Sequence, residues 1–468
     1  MKNDLIETLV KIKNEDLISF HMPGHKNRKD FFKEKLRSLD LIDSDITEIP
    51  EADNLHKPTG SILKSQNNLS EFYKSYKSYF LINGSTCGIL SMIFATTKRN
   101  DKILVNRNAH QSVINGIFLN ALEPVYLMPK VDTTTGMILG INPKDLENKL
   151  LADGDIKTVL LTYPSYEGIC FDIKKVSKIV KKYGCYLIID EAHGSHLLSH
   201  EKLPVSACES EADVVVQSAH KNLPAFTQGA FIHLYNKDLR ERLEKYLKIF
   251  QSSSPSYVIM ASLDMTVDFL FKESHLRMGE LIVEVNNFVR KLKITNYAVV
   301  NWGIDNNRSS FSFDPTKLVI SALSIGLAGK TLEKLLRYDY GIQVEYSTDY
   351  FILLIASVLN TSQEFDKLLM ALIAIEKKYK KEAIISKKVS RLKDVIVKIK
   401  PSDIEKYKFI TKEIDQCLGK TAYESVIPYP PGIPLINPGE VITKDALNQI
   451  KNSVTALRIV EEKMSITH

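Results

Sequence analysis

Short apolar runs alternate with amphipathic stretches through the first half of the chain. The runs predict strands at Tyr79–Ile82, Lys102–Val105, Pro124–Leu127, Thr158–Leu161, Tyr186–Ile189, Val214–Gln217 and Ala230–Leu234. The stretches between them repeat with a helical period and predict helices at Cys87–Thr97, His110–Asn120, Pro143–Leu151 and Ile173–Tyr183. Fully apolar strands that alternate with helices indicate an α/β fold with a mostly parallel sheet covered on both faces.

The rhythm changes past about residue 260. Strand, helix, strand, strand and helix are predicted at Leu318–Leu323, Thr331–Tyr340, Ile342–Tyr346, Phe351–Ala356 and Ser362–Tyr379. That order suits a smaller α+β domain that follows the parallel sheet.

The two ends of the chain are predicted as follows. Helices are expected at Asp4–Glu15 and Ser65–Tyr79, with a turn-rich stretch between them. The Lys-rich segment Lys377–Lys400 is expected to be a connection, and Thr443 to cap a closing helix that runs to Glu462. We therefore expect four units, at residues 1–70, 71–290, 291–380 and 381–468.

Composition excludes several classes of protein. The 468 residues, 44% of them hydrophobic, suffice for a large core and more than one domain. The net charge of +6 comes from dispersed lysines, unlike the clustered basic surface of a nucleic-acid binder. Five cysteines without a C-x-x-C pair suggest a reducing cytoplasm. The chain has no signal-peptide pattern and no apolar run of about 18 residues, so no membrane association is expected.

The sharpest chemical signal is a lysine that follows a buried strand. Lys221 lies in Ser218-Ala-His-Lys221, just after the predicted strand Val214–Gln217, and Asp190 ends the strand before it. Ligands of open α/β sheets bind at the carboxyl ends of the strands, so Lys221 and Asp190 are expected to face one crevice. An amine that forms an imine and a carboxylate that keeps a ring nitrogen protonated suit pyridoxal phosphate.

A phosphate cradle is predicted at Asn83-Gly-Ser-Thr86, between a strand and a helix. Gly84 allows a close backbone approach, and Ser85, Thr86 and the free N–H groups of the helix start can bind phosphate oxygens. Ser218 and His220 would complete the cradle. His110 starts another helix after a strand and could stack on the cofactor ring. Two alternatives remain open: Asn83–Thr86 as an ordinary turn with an N-cap, and His110 as a hydrogen-bonded core histidine.

Three other chemistries fit poorly. Asp190-Glu-Ala-His193 matches a helicase acidic box, but no phosphate loop precedes it. His193 with His196, or His21 with His25, lacks an acidic or cysteine partner at ligand spacing, so no metal site is expected. A serine hydrolase would need a G-x-S-x-G elbow, and the sequence has none.

The motifs together resemble one family, the bacterial Orn/Lys/Arg decarboxylases of the aspartate-aminotransferase fold (fold type I), in their short form. The resemblance spans nearly the whole chain. It rests on the segments Phe20–Lys26, Asp45–Glu48, Leu55-His56, Asn83–Thr86, Arg107–His110, Tyr163–Gly168, Asp190–His196, Gln217–Lys221, Thr227–Ala230, Tyr429–Leu435 and Pro438–Glu440.

The resemblance implies a role for each candidate residue. Lys221 would form the Schiff base with pyridoxal 5'-phosphate, Asp190 would bind the pyridine nitrogen, and His110 would stack on the ring. Ser85, Thr86, Ser218 and His220 would bind the phosphate, and His193 would lie near the phenolic oxygen. Lys221 or His220 would protonate the α-carbon after carbon dioxide leaves. The family also implies a homodimer or larger homo-oligomer, with residues 1–70 at the subunit interface. Gln111, Glu51, Ser165 and Asn222 depart from the family pattern, which leaves the substrate preference open.

The function expected from this resemblance is decarboxylation of a basic amino acid. Arginine is the first substrate expected, lysine the second and ornithine the third. Candidate acceptors for the substrate's distal cation are Glu440 and, from a neighbouring subunit, Asp45, Glu48 and Asp53. An aminotransferase, which would recruit Arg308 or Arg337, and a non-catalytic regulator of the same fold remain alternatives.

Overall fold

The computed structural model describes residues 4–36, 40–303, 311–379, 381–384, 395–427, 432–451 and 454–461. The helices in these ranges are α1 Asp4–Asn14, α2 Lys29–Lys35, α3 Ser61–Tyr73, α4 Gly84–Thr96, α5 Gln111–Leu119, α6 Pro143–Ala152, α7 Ile173–Lys182, α8 Ala219–Asn222, α9 Arg240–Phe250, α10 Tyr257–Lys272, α11 Ser274–Leu292, α12 Gly329–Tyr340, α13 Ser362–Tyr379 and α14 Lys444–Ile450. None of these helices combines the length and the apolar character needed to cross a bilayer.

The strands in the same ranges belong to one large sheet and several small ones. They are β1 Ile18–Phe20, β2 Lys77–Leu81, β3 Lys102–Asn106, β4 Glu123–Leu127, β5 Lys130–Val131, β6 Ile138–Gly140, β7 Ile156–Thr162, β8 Ile169–Phe171, β9 Tyr186–Asp190, β10 Val214–Gln217, β11 Ala230–Leu234, β12 Ala298–Val299, β13 Phe311–Phe313, β14 Lys317–Ser321, β15 Ile342–Val344, β16 Tyr346–Ser347, β17 Ile352–Ile355, β18 Phe409–Glu413 and β19 Ala456–Val460.

The large sheet has seven strands in the order β2, β11, β10, β9, β7, β3, β4. Neighbouring strands are parallel except where β11 pairs with β10 and β2. In β9, Leu187 and Ile189 face one hydrophobic cluster while Ile188 faces another. The sheet is therefore buried on both faces, which explains its continuous apolar strands. The predicted α/β class is confirmed, and the predicted strands of this sheet lie within two residues of the observed ones.

A smaller antiparallel sheet follows, in the order β12, β14, β17, β16. Its residues Leu318 and Leu354 share a hydrophobic cluster with Phe365 of α13. Two further pairs join this region to the rest of the chain. Strand β1 runs parallel to β15, and β8 runs antiparallel to β13. The N-terminal segment is thus held against the small sheet.

Two predicted helices are wrong in part. The helix predicted at Ser65–Tyr79 ends at Tyr73, because Lys74 adopts a left-handed conformation (φ 53°) and β2 begins at Lys77. The closing helix predicted at Thr443–Glu462 ends at Ile450. Its second half contains β19, which pairs with β18 and buries Leu457 and Ile459 in a C-terminal hydrophobic cluster. The long-range pairing overrides the helical propensity of this segment.

Candidate active site

Lys221 and Asp190 meet at one edge of the large sheet. Asp190 is the last residue of β9, and Lys221 lies in α8, which follows the neighbouring parallel strand β10. A cavity of about 450 Å³ opens at this edge. Its lining includes every residue that the sequence assigns to the cofactor: Gly84, Ser85, Thr86, His110, Asp190, His193, Ser218, His220 and Lys221.

The Lys221 amine lies 2.9 Å from Nε2 of His193. Burial lowers the pKa of Lys221, the Asp190 and Glu345 carboxylates oppose this shift, and the Lys317 charge adds to it. A lowered pKa increases the share of free amine at neutral pH, which is the nucleophilic form.

Asp190 is almost fully buried beneath the cavity, with 2% of its surface exposed. Its Oδ1 accepts a hydrogen bond from the Ala192 N–H at 3.2 Å. Burial raises the pKa of Asp190, and the nearby Lys221 ammonium and this hydrogen bond oppose the shift. A carboxylate in this position suits a protonated ring nitrogen, whose charge would offset the desolvation.

The start of α4 forms the opposite wall. Gly84 adopts φ +71°, a conformation that favours glycine, although an added Cβ would meet no atom within 4 Å. The Gly84 N–H donates to the Gln228 carbonyl at 2.9 Å, and Ser218 Oγ donates to Ser85 Oγ at 2.9 Å. The unpaired N–H groups in the first turn of a helix bind anions, here beside the Ser85, Thr86 and Ser218 hydroxyls.

Two histidines at the cavity are neutral at neutral pH. His110 is the N-cap of α5, and its Nδ1 accepts the Ser112 N–H at 3.2 Å. Burial, with the Lys221 charge, lowers the pKa of His110 to about 4. The His220 Nδ1 lies 3.0 Å from the Gly229 carbonyl and therefore carries the proton. Burial also lowers the pKa of His220 to about 4.

His193 and Tyr166 form an aromatic pair in the cavity wall, with ring centroids 4.4 Å apart. Burial, with the charges of Lys221 and Lys317, holds the pKa of His193 well below its ordinary value. The Tyr166 hydroxyl donates to the Glu345 carboxylate. Tyr166 lies between Ser165 and Glu167 in the motif Tyr163–Gly168, and no local sequence signal marks it as a site residue.

Glu345 is a second residue that the sequence analysis missed. It lies between β15 and β16, and its Oε2 accepts the Met22 N–H at 2.8 Å. Met22 and Tyr166, which both bind Glu345, line the cavity. The carboxylate therefore lies behind the cavity wall, close enough to raise the pKa of Lys221. No motif marks it, since its position depends on residues far away in sequence.

Within the part of the chain that the structure describes, none of the four acids named from the sequence lines the cavity of its own chain. Asp53 instead accepts backbone N–H groups of its own loop, among them Thr59 at 2.8 Å and Gly60 at 2.9 Å. Glu440 binds Arg107 at 2.8 Å. Asp45 and Glu48 precede Pro50 on a largely exposed segment.

Of the two arginines named for a rival reaction, only one is among the described residues, and it does not line the cavity. Arg337 in α12 forms an ion pair with Glu15. Arg308 lies outside the described residues.

A loop of the C-terminal region supplies part of the cavity wall. Ile433 lines the cavity, and the neighbouring Pro434 carbonyl accepts a hydrogen bond from Arg107 Nη1 at 2.8 Å. Arg107 Nη2 donates to Glu440 at 2.8 Å, and both side chains are 3% exposed. Arg107 follows β3 and precedes His110 by three residues, so it joins two walls of the cavity. The residues Tyr429–Pro431 of this motif lie outside the described ranges.

The described residues include one compact group of potential metal ligands, His200, Glu201 and His275. Hydrogen bonds occupy the nitrogen atoms that face the group. His275 Nε2 lies 3.1 Å from the Glu201 carboxylate, and His200 Nδ1 accepts the Lys202 N–H at 3.1 Å. One histidine of each pair named from the sequence also has a partner within the protein. His196 binds Asp314 at 3.0 Å, and His25 Nδ1 accepts the Asn27 N–H at 3.1 Å.

The donor set of the cavity fits pyridoxal phosphate. It offers an amine of lowered pKa for an aldehyde, a buried carboxylate for a ring nitrogen, an imidazole for a ring face, and a helix start with three hydroxyls for a phosphate.

Comparisons with known proteins agree with this geometry. Residues 3–303 match the model of the Orn/Lys/Arg decarboxylase major domain, and residues 402–463 match that of the Orn/Lys/Arg decarboxylase C-terminal domain. The chain is 33% identical to the uncharacterized protein YaaO of Bacillus subtilis, over 100% of this chain and 97% of that protein. It is 30% identical to an arginine decarboxylase of the same organism, over 94% of this chain and 91% of that protein.

Solved structures show the same fold. The lysine decarboxylase LdcF of Francisella novicida superposes with a TM-score of 0.77 at 20% identity, covering 98% of this chain and 83% of that chain. The resemblance stated from the sequence motifs, and with it the identification of an amino-acid decarboxylase, is confirmed. The chain belongs to the Orn/Lys/Arg decarboxylase family.

Proposed function

We propose that this enzyme decarboxylates a basic amino acid with pyridoxal 5'-phosphate bound through Lys221. Arginine is the first candidate substrate, lysine the second and ornithine the third. One observation carries the proposal: a single cavity collects an amine, a buried carboxylate and an anion cradle from separate elements of the sheet edge. The arginine decarboxylases among the relatives support the order of substrates.

Bound in this cavity, the cofactor would withdraw electrons from the α-carbon as the bond to the carboxylate breaks. Lys221 would hold it, and Asp190 would keep its ring nitrogen protonated. Ser85, Thr86, Ser218, His220 and the N–H groups at the start of α4 would bind its phosphate. His110 would stack on the ring, and His193 would lie near the phenolic oxygen.

The reaction consumes one proton, because carbon dioxide leaves and a hydrogen takes its place on the α-carbon. Lys221 is the proton donor that the cavity favours. His110 and His220 are poor donors at neutral pH, since burial lowers the pKa of each to about 4. The Lys221 amine, once freed by the substrate, would lie beside the reacting carbon and would deliver the proton as an ammonium.

Glu345 is the acid that we assign to the distal cation of the substrate. Its carboxylate binds Tyr166 and Met22 of the cavity wall. A guanidinium or ammonium that displaced the Met22 or Tyr166 donor would form a charge-assisted hydrogen bond. We also propose a homodimer or larger homo-oligomer, with residues 1–70 at the interface. The exposed apolar residues Leu5 and Leu9 of α1 support that role.

An aminotransferase would use the same lysine and carboxylate but would release a keto acid. A non-catalytic regulator of the same fold would attach no cofactor. The test is amine formation and carbon dioxide release from carboxyl-labelled arginine, lysine and ornithine. Lys221→Ala should abolish both products. Lys181→Ala is the matched control, because Lys181 pairs with Asp213 at the opposite end of β10. A keto-acid product, or no product from any of the three substrates, would refute the proposal.

A further inference from the structure

Lys317, on β14 of the small sheet, is a fully buried lysine that contacts the turn carrying Lys221. We propose that Lys317 is a positioning residue for Lys221: it anchors that turn through Asn222 and places a fixed positive charge behind the cofactor-binding amine. The inference rests on the proposed function, in which Lys221 holds the cofactor.

Asn222, the residue after Lys221, makes the connection. With the Asn222 amide oriented so that both of its ends meet complementary partners, its oxygen accepts a hydrogen bond from Lys317 Nζ at 2.5 Å and its nitrogen donates to the His193 carbonyl at 3.2 Å. His193 in turn contacts the Lys221 amine at 2.9 Å. One buried amide therefore joins the small sheet to α8 and to the loop that follows β9. This is also a position at which the chain departs from the family pattern.

A buried carboxylate, Asp314, fixes the position of the Lys317 ammonium. Its Nζ lies 3.3 Å from Asp314 Oδ2, and both side chains are fully buried. Asp314 also binds His196 at 3.0 Å and accepts the Thr316 hydroxyl at 2.8 Å. These contacts hold the pKa of Asp314 below its ordinary value despite burial. A buried charge of this kind is poorly screened by salt.

The fold also leaves room for this side chain. Gly168 adopts φ +84°, and an added Cβ would lie 2.7 Å from Lys317 Cγ. The lysine stem thus packs directly on the backbone of the motif that ends in Gly168. Buried ion pairs can often be replaced by apolar residues without loss of stability. A position shaped to hold a buried lysine therefore indicates a role beyond stability.

The electrostatic consequence concerns Lys221. Burial lowers its pKa, the Asp190 and Glu345 carboxylates raise it, and Lys317 lowers it. The neighbouring imidazoles of His193 and His220 carry no charge at neutral pH, since burial lowers their pKa values. Lys317 therefore offsets the two carboxylates and keeps more of the Lys221 amine in its free form.

The charges around Lys317 itself agree with this assignment. Asp314 is its close anion, and Lys26, which binds the Ile355 carbonyl at 2.9 Å, is a second buried cation near it. Burial lowers the pKa of Lys26 to about 7. The Glu345 carboxylate opposes this shift, and the Lys317 charge adds to it. Lys317 has a close carboxylate partner in Asp314, whereas the Lys26 amine binds the backbone carbonyls of His21 and Ile355.

The test measures covalent attachment of pyridoxal phosphate to the cofactor-free full chain as a function of pH. In that step the Lys221 nitrogen replaces the aldehyde oxygen and one water leaves. Only the free amine reacts, so the midpoint of the rate profile reports the pKa of Lys221. Lys317→Met should raise the midpoint by about one pH unit, which is about a tenfold slower attachment below the midpoint. Lys181→Met, which removes a lysine of similar pairing at the far end of the sheet, should leave it unchanged.

An unchanged or lowered midpoint in folded Lys317→Met protein would overturn the inference. If that variant does not fold, Asn222→Leu serves, because it keeps the Lys317–Asp314 pair and removes only the Asn222 side-chain hydrogen bonds, to Lys317 and to the His193 carbonyl. It should lower the plateau rate of attachment at least about threefold at an unchanged unfolding temperature, and an unchanged plateau would contradict the proposal. Failure of the wild-type chain to attach the cofactor at Lys221 would instead refute the proposed function.

Discussion

Removing the buried guanidinium of Arg107 should detach the C-terminal loop from the large sheet. In the intact protein Arg107 donates to the carbonyls of Pro434 and Leu435 and to the Glu440 carboxylate, at 2.8, 3.1 and 2.8 Å. Arg107→Met deletes all three hydrogen bonds. It leaves Glu440 buried with only Asn437 as a donor, through its backbone N–H at 2.9 Å and its side chain at 3.0 Å.

The expected loss in the free energy of unfolding is about 3–5 kcal/mol, the range for a buried ion pair that loses one partner. Most of this loss in free energy comes from the Glu440 carboxylate, which stays buried without its cationic partner. The double variant Arg107→Met/Glu440→Gln should therefore be less damaged than the sum of the two single losses. Lys182→Met is the control, since Lys182 pairs with Glu147 at the same 2.8 Å distance but is 65% exposed.

Urea unfolding followed by two spectroscopic probes measures the loss, because a chain of several domains need not unfold in one step. Limited proteolysis should show earlier cleavage of the C-terminal region in Arg107→Met. The reasoning is refuted if Arg107→Met loses no more stability than Lys182→Met, or if the double variant loses the full sum.

Three more outcomes are expected. Gly439→Ala should destabilise the protein far more than Gly419→Ala: both glycines have positive φ, but only the added Cβ at Gly439 would lie 1.9 Å from a backbone oxygen. Equal unfolding midpoints would contradict this. Burial lowers the pKa of His233 to about 3 from about 6.5, so the stability it contributes is present above pH 6.5 and is lost as the pH falls toward 3. In His233→Gln the free energy of unfolding should fall less steeply as the pH is lowered from 6.5 toward 3. An unchanged slope would show that His233 does not cause the acid destabilisation. Glu345→Gln should lower kcat/KM for the basic substrate about 10- to 100-fold, as expected for the loss of a charged hydrogen bond, whereas Asp53→Asn should not; equal effects would argue against the assignment of Glu345.

The central sheet and the cofactor residues were predictable because the signals are local. Each strand of the sheet is a short apolar run, and parallel topology brings the residues after β9 and β10 together whatever happens elsewhere. Asp190 ends a strand, and Lys221 and Gly84 lie within four residues after one, so their meeting in one cavity required no long-range information.

The features that sequence analysis missed depend on contacts between distant segments. Glu345 becomes part of the site only because Met22, 323 residues earlier, folds against it. The strand Ala456–Val460 was predicted as helix, although Leu457 and Ile459 are buried while Arg458 is exposed. That alternation is too short to outweigh the helix before it, and pairing with Phe409–Glu413 decides the outcome.

The pairing of β1 with β15 has a consequence for how the protein is made. The Gly24 N–H binds the His220 carbonyl at 2.7 Å, and the Gly24 carbonyl accepts the Ser357 hydroxyl at 2.7 Å. The segment around Gly24 thus lies between the lysine turn and Ser357, which follows it by 333 residues. During translation this segment lacks its later partners until they have been made, so the large sheet can fold before the cavity at its edge is complete.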